Sequence, residues 1–409
     1  MSFRRLGTAK VTTFLALFVL LSAQAPLVGC NPAGTSSARD NVIVIGTDFA
    51  TSGADAPAGV PTQNGAVLAI EQEAARGLPG GYELRAQTMD DAVNGVHDPA
   101  QGVRNVQALI QDSRVLAIVG GMNSSVAQAE IPVASQERIA LLSPSATSVG
   151  LTAASSGFRS FFRTVVRDDL QGAADADFAF WVLHARRAYV IDDAEAYGKG
   201  IADVFARRLE RDGGTVLDRQ HLFAGQQDFT ALLTRALGTK PDLVYYGGVV
   251  STGGALLRRQ MLALHMSATL MGGDGLCDPG FISAAGAAAD GTYCSKGAPN
   301  LTAMPAARHY LKDYAARFPG QSVGTYSANA YAAAYVAIET IRALMGKNGG
   351  VPPKRQALAQ AIAASLTTNT PIGKVAFTSS GDIATPLVSM WVVRNGQFAF
   401  ISQRSTSLQ

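Results

Sequence analysis

The feature that narrows the fold most is a repeated alternation. From Asn41 onward, short apolar runs rich in β-branched residues are each followed by an amphipathic stretch of helical period. The runs Val42–Gly46, Tyr82–Met89, Val115–Gly120 and Ile139–Ser143 form one set. Ala188–Asp192, Thr215–Leu222, Leu243–Gly247 and Thr269–Gly272 form a second. Several are continuously apolar, as strands buried on both faces are. Between them, Gln63–Ala75, Pro99–Asp112, Ser124–Glu137, Leu170–Leu183, Gly198–Arg211, Phe229–Leu237 and Gly253–His265 read as helices. Strands alternating with helices predict parallel sheets built from right-handed βαβ units. Two sets of four strands predict two doubly wound α/β lobes, with a break near Phe161–Asp169. The chain is then helix-rich from Ala303 to Ser365, and strand-like at Lys374–Thr378, Pro386–Val393 and Phe398–Ile401. Gly381-Asp382 and Asn395-Gly396 supply turn chemistry between these last runs.

The first thirty residues read differently. A basic start (Arg4, Arg5, Lys10) precedes an apolar run from Val11 to Leu21, then small residues, then Cys30. This is the layout of an export signal, and the run is too short for a bilayer core of ~30 Å. Leu27-Val28-Gly29-Cys30 resembles a bacterial lipobox, in which the cysteine is lipid-modified and cleavage falls just before it. The alternative is ordinary cleavage near Ala23–Ala25, which leaves Cys30 an unpaired thiol. Residues 31–40 are small and polar and suit a tether. No second apolar run approaches 18 residues, so the body is expected to be soluble. With Cys30 set aside, Cys277 and Cys294 remain as a pair in an oxidising compartment. They form either a disulfide closing a loop of 17 or two buried thiols.

Charge excludes one class of partner. The chain carries 34 basic and 31 acidic residues, and three of the bases lie in the leader. The remainder is balanced and shows no basic stripe, so no nucleic-acid footprint is expected. Catalytic motifs are also missing. There is no P-loop, no nucleophile elbow and no His-Glu-x-x-His; Thr51-Ser52-Gly53 stands where a dinucleotide fingerprint would follow the first strand. The five histidines (His97, His184, His221, His265, His309) are scattered and read as surface or core-edge residues. Asp90-Asp91 and Asp192-Asp193 are read as turn formers and caps rather than an acid–base pair. No metal and no cofactor are expected.

Three strand ends remain unusual, and ligands of open α/β sheets sit at strand carboxyl ends. Val115–Gly121 runs through Met122-Asn123 into Ser124-Ser125 and a helix, whose N-terminal N–H groups favour an anion. Ser124 either joins that site or merely caps the helix. Leu142-Ser143-Pro144-Ser145-Ala146-Thr147 ends a buried strand in small hydroxyl residues. Met271-Gly272-Gly273-Asp274-Gly275 places a lone carboxylate among glycines, either as a turn former or as a partner for an ammonium group.

Taken in order, these segments resemble the leucine/isoleucine/valine-binding protein family of ABC-transporter receptors. Asp193-Ala194-Glu195-Ala196-Tyr197-Gly198-Lys199-Gly200, Asp228–Leu232 and Asp242–Gly248 add to the resemblance, which runs from about Val42 to Phe400. It implies a type I periplasmic-binding fold, with two Rossmann-like lobes joined by three crossings. With the leader read as a signal peptide at 1–29 and a lipid-anchored tether at 30–40, the resemblance implies lobe 1 at 41–166 and 298–377, and lobe 2 at 167–297 and 378–409. Carried over, Ser124, Ala146 and Thr147 hold the α-carboxylate and part of the α-ammonium. Tyr197 and Asp274 complete the grip from the second lobe, Asp274 as counter-charge, and Tyr326 packs at the pocket edge. The implied function is a monomeric, membrane-anchored receptor outside the cytoplasm. It would deliver an amino acid or similar small zwitterion to an ABC permease complex. A sensory or regulatory lipoprotein on the same fold is the alternative; neither is an enzyme. Two positions depart from the family. The loop Thr51–Pro61 lacks the usual aromatic, with Ala58 near its place, and Val249 stands where an aromatic often follows Gly247-Gly248. Both positions touch the ligand side chain in the family. The expected pocket is therefore roomier, or filled from elsewhere.

Overall fold

A computed structural model describes residues 41–153, 158–223 and 225–406. The leader, the tether and Cys30 lie outside the described residues. The first lobe contributes β1 (Val42–Phe49), β2 (Glu83–Asp90), a ribbon of β3 (Ala92–Val93) and β4 (Val96–His97), then β5 (Val115–Gly120), β6 (Ala140–Ser143) and β7 (Phe161–Arg163). The second contributes β8 (Arg187–Asp192), β9 (Thr215–His221), β10 (Leu243–Gly247), β11 (Thr269–Gly272) and β12 (Tyr293–Lys296). β13 (Leu366–Thr370) and β14 (Gly373–Ala376) pair with each other, and β15 (Leu387–Arg394) and β16 (Gln397–Ser405) join the second sheet.

The helices are α1 (Ala56–Arg76), α2 (Pro99–Gln111), α3 (Ser124–Gln136), α4 (Gly150–Ala153), α5 (Asp168–Trp181) and α6 (Ala196–Arg211). They continue with α7 (Thr230–Thr239), α8 (Ala255–Ala263), α9 (Pro279–Ala285), α10 (Ala307–Arg317), α11 (Ser327–Lys347) and α12 (Arg355–Ala363).

The first sheet runs β2-β1-β5-β6-β7, all parallel. Its pleat sends Ile43 and Ile45 into a core with α1, α11 and α12, and Val42 and Val44 into one with α2 and α3. The second sheet runs β9-β8-β10-β11-β12-β15-β16, the last two antiparallel. It is likewise covered on both faces, by α7–α9 on one and α5–α6 on the other. Strand order reverses beside β1 and beside β8, so each lobe has its crevice at the carboxyl ends of those strands.

The sheets hold five and seven strands rather than four each. β7 and β12 are three and four residues long, too short for a pattern to show against the flanking loops. The late hairpin β15–β16 turns at Asn395-Gly396, both at positive φ (51° and 69°), as that dipeptide favours. Helix α1 begins at Ala56, so most of the expected loop 51–61 is helical. Pro57 sits in the first turn, where no N–H is needed, and the Thr62 hydroxyl donates to the Ala58 carbonyl at 2.8 Å beside Pro61. Gly59 permits this packing, because a Cβ there would lie 1.7 Å from the Ala50 carbonyl oxygen. At α8 the structure differs the other way. Residues Val250–Gly254 wind as a π turn, with Gly253 at φ 125°, and the α-helix starts only at Ala255.

The chain passes between the lobes after β7, after β12 and between β14 and β15. The first and third passages are tied by charge. Arg163, fully buried, donates from Nε to Asp382 Oδ1 at 2.6 Å, and Arg167 Nη1 reaches Asp382 Oδ2 at 3.2 Å. Burial raises the Asp382 carboxyl, but the two guanidiniums and the Ser380 hydroxyl outweigh it and hold the group below its usual range. The other end of Arg163 donates to the carbonyls of Ala146 (3.0 Å) and Ser148 (2.9 Å) and to the Thr152 hydroxyl. Arg163→Met leaves Asp382 buried beside a single cation. It should cost about 3–5 kcal/mol in denaturant unfolding.

A second buried group sits behind the first crevice. Asp48 lies near the end of β1, Asp91 follows β2 and Glu130 lies on α3, all fully buried. Asn105 donates to Asp48 Oδ1 at 2.8 Å, but both oxygens of Asp91 and of Glu130 lack partners. Burial, then mutual repulsion, pushes Asp91 up to about 9 and Glu130 well above the carboxylate range. The folded chain therefore keeps protons that the unfolded chain releases above pH ~4. Stability should fall as pH rises from 5 to 8. Asp91→Asn should flatten that slope by up to ~1.4 kcal/mol per pH unit, read as the melting temperature across that window.

Candidate functional site

Strand β5 is buried along its length and is followed by Gly121, at φ +65°. A Cβ there would lie 2.6 Å from Glu130 Oε2, so only glycine makes the turn. Met122 and Asn123 follow, and α3 opens at Ser124. No side chain caps this helix, and Asn123 Oδ1 is buried without a partner. The loop after β6 is stitched alongside. Ser143 Oγ donates to the Gly121 carbonyl (2.8 Å), Ser145 Oγ donates to the Met122 carbonyl (2.9 Å), and Ser124 Oγ accepts from the Ser148 N–H (3.2 Å). The result is a polar, donor-rich edge on the first lobe, built around a helix N-terminus suited to an anion.

Asp274 stands on the second lobe, in the tight turn that follows β11. Its Oδ1 accepts from Gln171 Nε2 (2.8 Å) and from the Tyr197 hydroxyl (3.0 Å). Its Oδ2 accepts from the Tyr326 hydroxyl, which arrives from the first lobe at the head of α11. Burial raises the Asp274 carboxyl above its usual range, and the three donors pull back against that rise. Beside it, Asp168 is buried with neither oxygen partnered. Its pKa is raised well above the ordinary value, first by burial and then by the Asp274 charge. A disulfide joins Cys277 to Cys294, fastening the Asp274 turn to β12.

A cavity of about 1100 Å³ opens between the lobes. Ser124, Tyr197, Val249, Asp274 and Tyr326 all line it. Ala146 and Thr147 do not. Both are fully buried behind the wall, the Ala146 N–H is taken by Ser143 Oγ at 2.9 Å, and Ser145 holds the lining position. Tyr326 does more than pack at an edge, since its hydroxyl bonds the acid. Asp193 behaves as a turn former, its Oδ1 accepting from the Glu195 N–H at 3.0 Å.

Several residues of the site had no sequence signal as such. Gln171 is one polar residue in an otherwise ordinary helix. His97 reads as a core-edge residue in sequence, yet its imidazole is only 5% exposed, lines the cavity and bonds Asp55 at 2.8 Å. The small ribbon β3–β4, which no hydrophobic period announces, puts it there. Arg163 did carry a signal, an arginine inside the apolar run Phe161–Val166. Among the described residues, no group of His, Cys, Asp and Glu is arranged to hold a metal ion. Nor is any helix there long and apolar enough to cross a membrane.

A family model for periplasmic binding proteins matches residues 42–397. The Leu/Ile/Val-binding protein BraC3 of Rhizobium johnstonii is 31% identical over 350 residues, covering 85% of this chain and 91% of that one. The chain belongs to the leucine/isoleucine/valine-binding protein family of ABC-transporter substrate-binding proteins. Its fold is the type I periplasmic-binding fold. The branched-chain amino acid transporter substrate-binding protein LivJ of Streptococcus pneumoniae, solved with isoleucine, superposes with a TM-score of 0.79. It is 24% identical, over 90% of this chain and all of that one. An ABC-transporter solute-binding protein of R. palustris, solved with benzoate, gives 0.78 at 20% identity, over 90% and 98%. Members of the family are extracytoplasmic substrate-binding receptors rather than enzymes.

The disulfide offers a direct check on how the acid turn is held. It closes a loop of 17 residues, so reducing it or replacing both cysteines by alanine should cost ~3 kcal/mol in denaturant unfolding.

Proposed function

We propose that this protein is an extracytoplasmic solute receptor that closes two hinged lobes on an amino acid, branched-chain or related. It then delivers the guest to an ABC permease. One observation carries the reading. A helix N-terminus with Ser124 on the first lobe, and a buried carboxyl at Asp274 on the second, face a single cavity. The α-carboxylate goes to Ser124, Ser145 and the first N–H groups of α3. The α-ammonium goes to Asp274, with Tyr197 and Tyr326 orienting that carboxylate. A zwitterion so placed attracts both lobes at once, and that differential affinity is what drives closure. The lobes move as 41–166 with 298–377 against 167–297 with 378–409. Cys30 carries the lipid anchor, removal of residues 1–29 frees it, and the receptor acts as a monomer. No reacting centre, cofactor or metal enters this role. Solved relatives of the same fold hold isoleucine in one case and benzoate in another, so the fold by itself does not choose the guest.

A thermal-shift panel of amino acids tests the reading. At 100 times its Kd, a bound guest should stabilise the protein by ~2.7 kcal/mol. Asp274→Ala should abolish that shift, because the ammonium would be buried without a counter-charge. Affinity should also weaken on acidification. The guest needs the ionised carboxylate, and the Asp274 carboxyl takes up its proton at a higher pH than an ordinary aspartate. A panel with no shift for any amino acid, or an Asp274→Ala protein that binds as before, removes the basis of this function.

A further inference from the structure

Three donors meet the Asp274 carboxyl, and they differ in what else they can touch. Tyr197 and Tyr326 line the cavity, within reach of a guest. Gln171 does not line it. Its amide approaches Asp274 from behind, out of α5, and the residue has no exposed surface. Anything Gln171 contributes to binding passes through the acid.

Chemistry fixes the orientation of this amide. Nε2 carries two hydrogens and both are used, one toward Asp274 Oδ1 at 2.8 Å and one toward the Ser295 hydroxyl at 2.9 Å. Oε1 is buried without a partner, and a Cβ built on Gly297 would lie 3.1 Å from it. Turning the amide over would set its oxygen against a carboxylate oxygen, acceptor against acceptor. Its two partners sit on the segments that the disulfide also joins. Asp274 accepts the Cys277 N–H through its own carbonyl, and Ser295 follows Cys294 on β12. The donor is thus held at a fixed place relative to the acid.

The neighbour against which this contact discriminates is Asp168. It opens α5, one turn before Gln171, and is equally buried. The Thr147 hydroxyl lies near it without closing a hydrogen bond, and neither carboxyl oxygen has a partner. Two carboxyls that repel each other in a place shut off from water do not both ionise, so one keeps a proton. Two nearby groups favour charge on Asp168. Arg163 attracts it there, and Asp175, one turn past Gln171 and pushed up to about 7 by burial, repels it from Asp274. Asp169, already paired with Arg167, opposes them only weakly. Burial and then the Asp274 charge nonetheless hold the proton on Asp168. What separates the two acids is that Asp274 has donors and Asp168 has none.

We propose that Gln171 is a positioning residue: from behind the cavity wall it fixes the negative charge of the site on Asp274 rather than on Asp168. This rests on the reading of Asp274 as the partner of the guest's ammonium group. A neutral amide suits the task. A lysine or arginine there would cancel the charge that the guest needs, and a glutamate would add another acid.

The test is a carboxyl titration by NMR, in protein labelled with carbon-13 at the aspartate side-chain carboxyls. Asp274→Asn and Asp168→Asn identify the two signals by removing them. In the wild-type protein Asp274 should titrate at a lower pH than Asp168; the reverse order overturns the proposal. In Gln171→Leu the Asp274 midpoint should rise by about one pH unit, the effect of one charge-assisted hydrogen bond lost. A rise below about 0.3 unit also overturns it. Calorimetry between about pH 4 and 8 then follows each amino acid that the wild-type protein binds. Gln171→Leu should weaken binding more on the acid side than at the alkaline end, in step with the Asp274 midpoint. Weakening by one factor at every pH is what a merely structural role gives, and it refutes the assignment. If the wild-type protein binds no amino acid, the amino-acid reading fails, while the carboxyl titration still decides where the charge sits.

Discussion

The geometry of the cleft depends on one buried guanidinium. Arg163 ends the last strand of the first sheet and grips Asp382 on the third passage between lobes. With its remaining donors it holds the carbonyls of Ala146 and Ser148. The third passage between the lobes and the loop after β6 are therefore fixed by the same side chain. A buried ion pair is weak evidence for stability by itself, because desolvation consumes much of the attraction. Its value here is positional. It sets the chain direction at two passages and pins the loop whose Ser145 lines the cavity.

From that anchor the site follows in order. The loop stitched by Ser143 and Ser145 fixes the head of α3, and the disulfide fixes the turn that carries Asp274. One lobe thus presents backbone donors and hydroxyls, while the other presents a carboxyl held by Gln171 and Tyr197. The cavity wall is assembled only by apposition of the two halves.

Much of this was legible in the chain. The continuous apolar runs marked the central strands, because strands covered on both faces have no polar side to interrupt them. Ser124 and Asp274 stood out as polar residues where buried strands end. What escaped has definite physical causes. Three- and four-residue strands such as Phe161–Arg163 bury completely without generating a period, and their hydrogen-bond partners are remote in sequence. Pro57 and Pro61 hid the start of α1, since the first prolines of a helix look like loop until the turn is seen. Ala146 and Thr147 sit in the right loop but behind its surface, and Ser145 replaces them at the wall. A one-residue change of facing is invisible to motif reasoning. His97 reaches the cleft through a two-residue ribbon, and Gln171 reaches Asp274 from a buried position on α5; spacing encodes neither.

The hydroxyl that Tyr326 extends across the cleft to Asp274 has one more consequence. The bond crosses from one lobe to the other, so the phenol acts as a strap as well as part of the wall. Gln171 and Tyr197 hold the acid from its own side, and Tyr326 holds it from the far side. The orientation of that carboxyl is thus set by both halves of the molecule, and any shift of one half against the other is registered at this single acid.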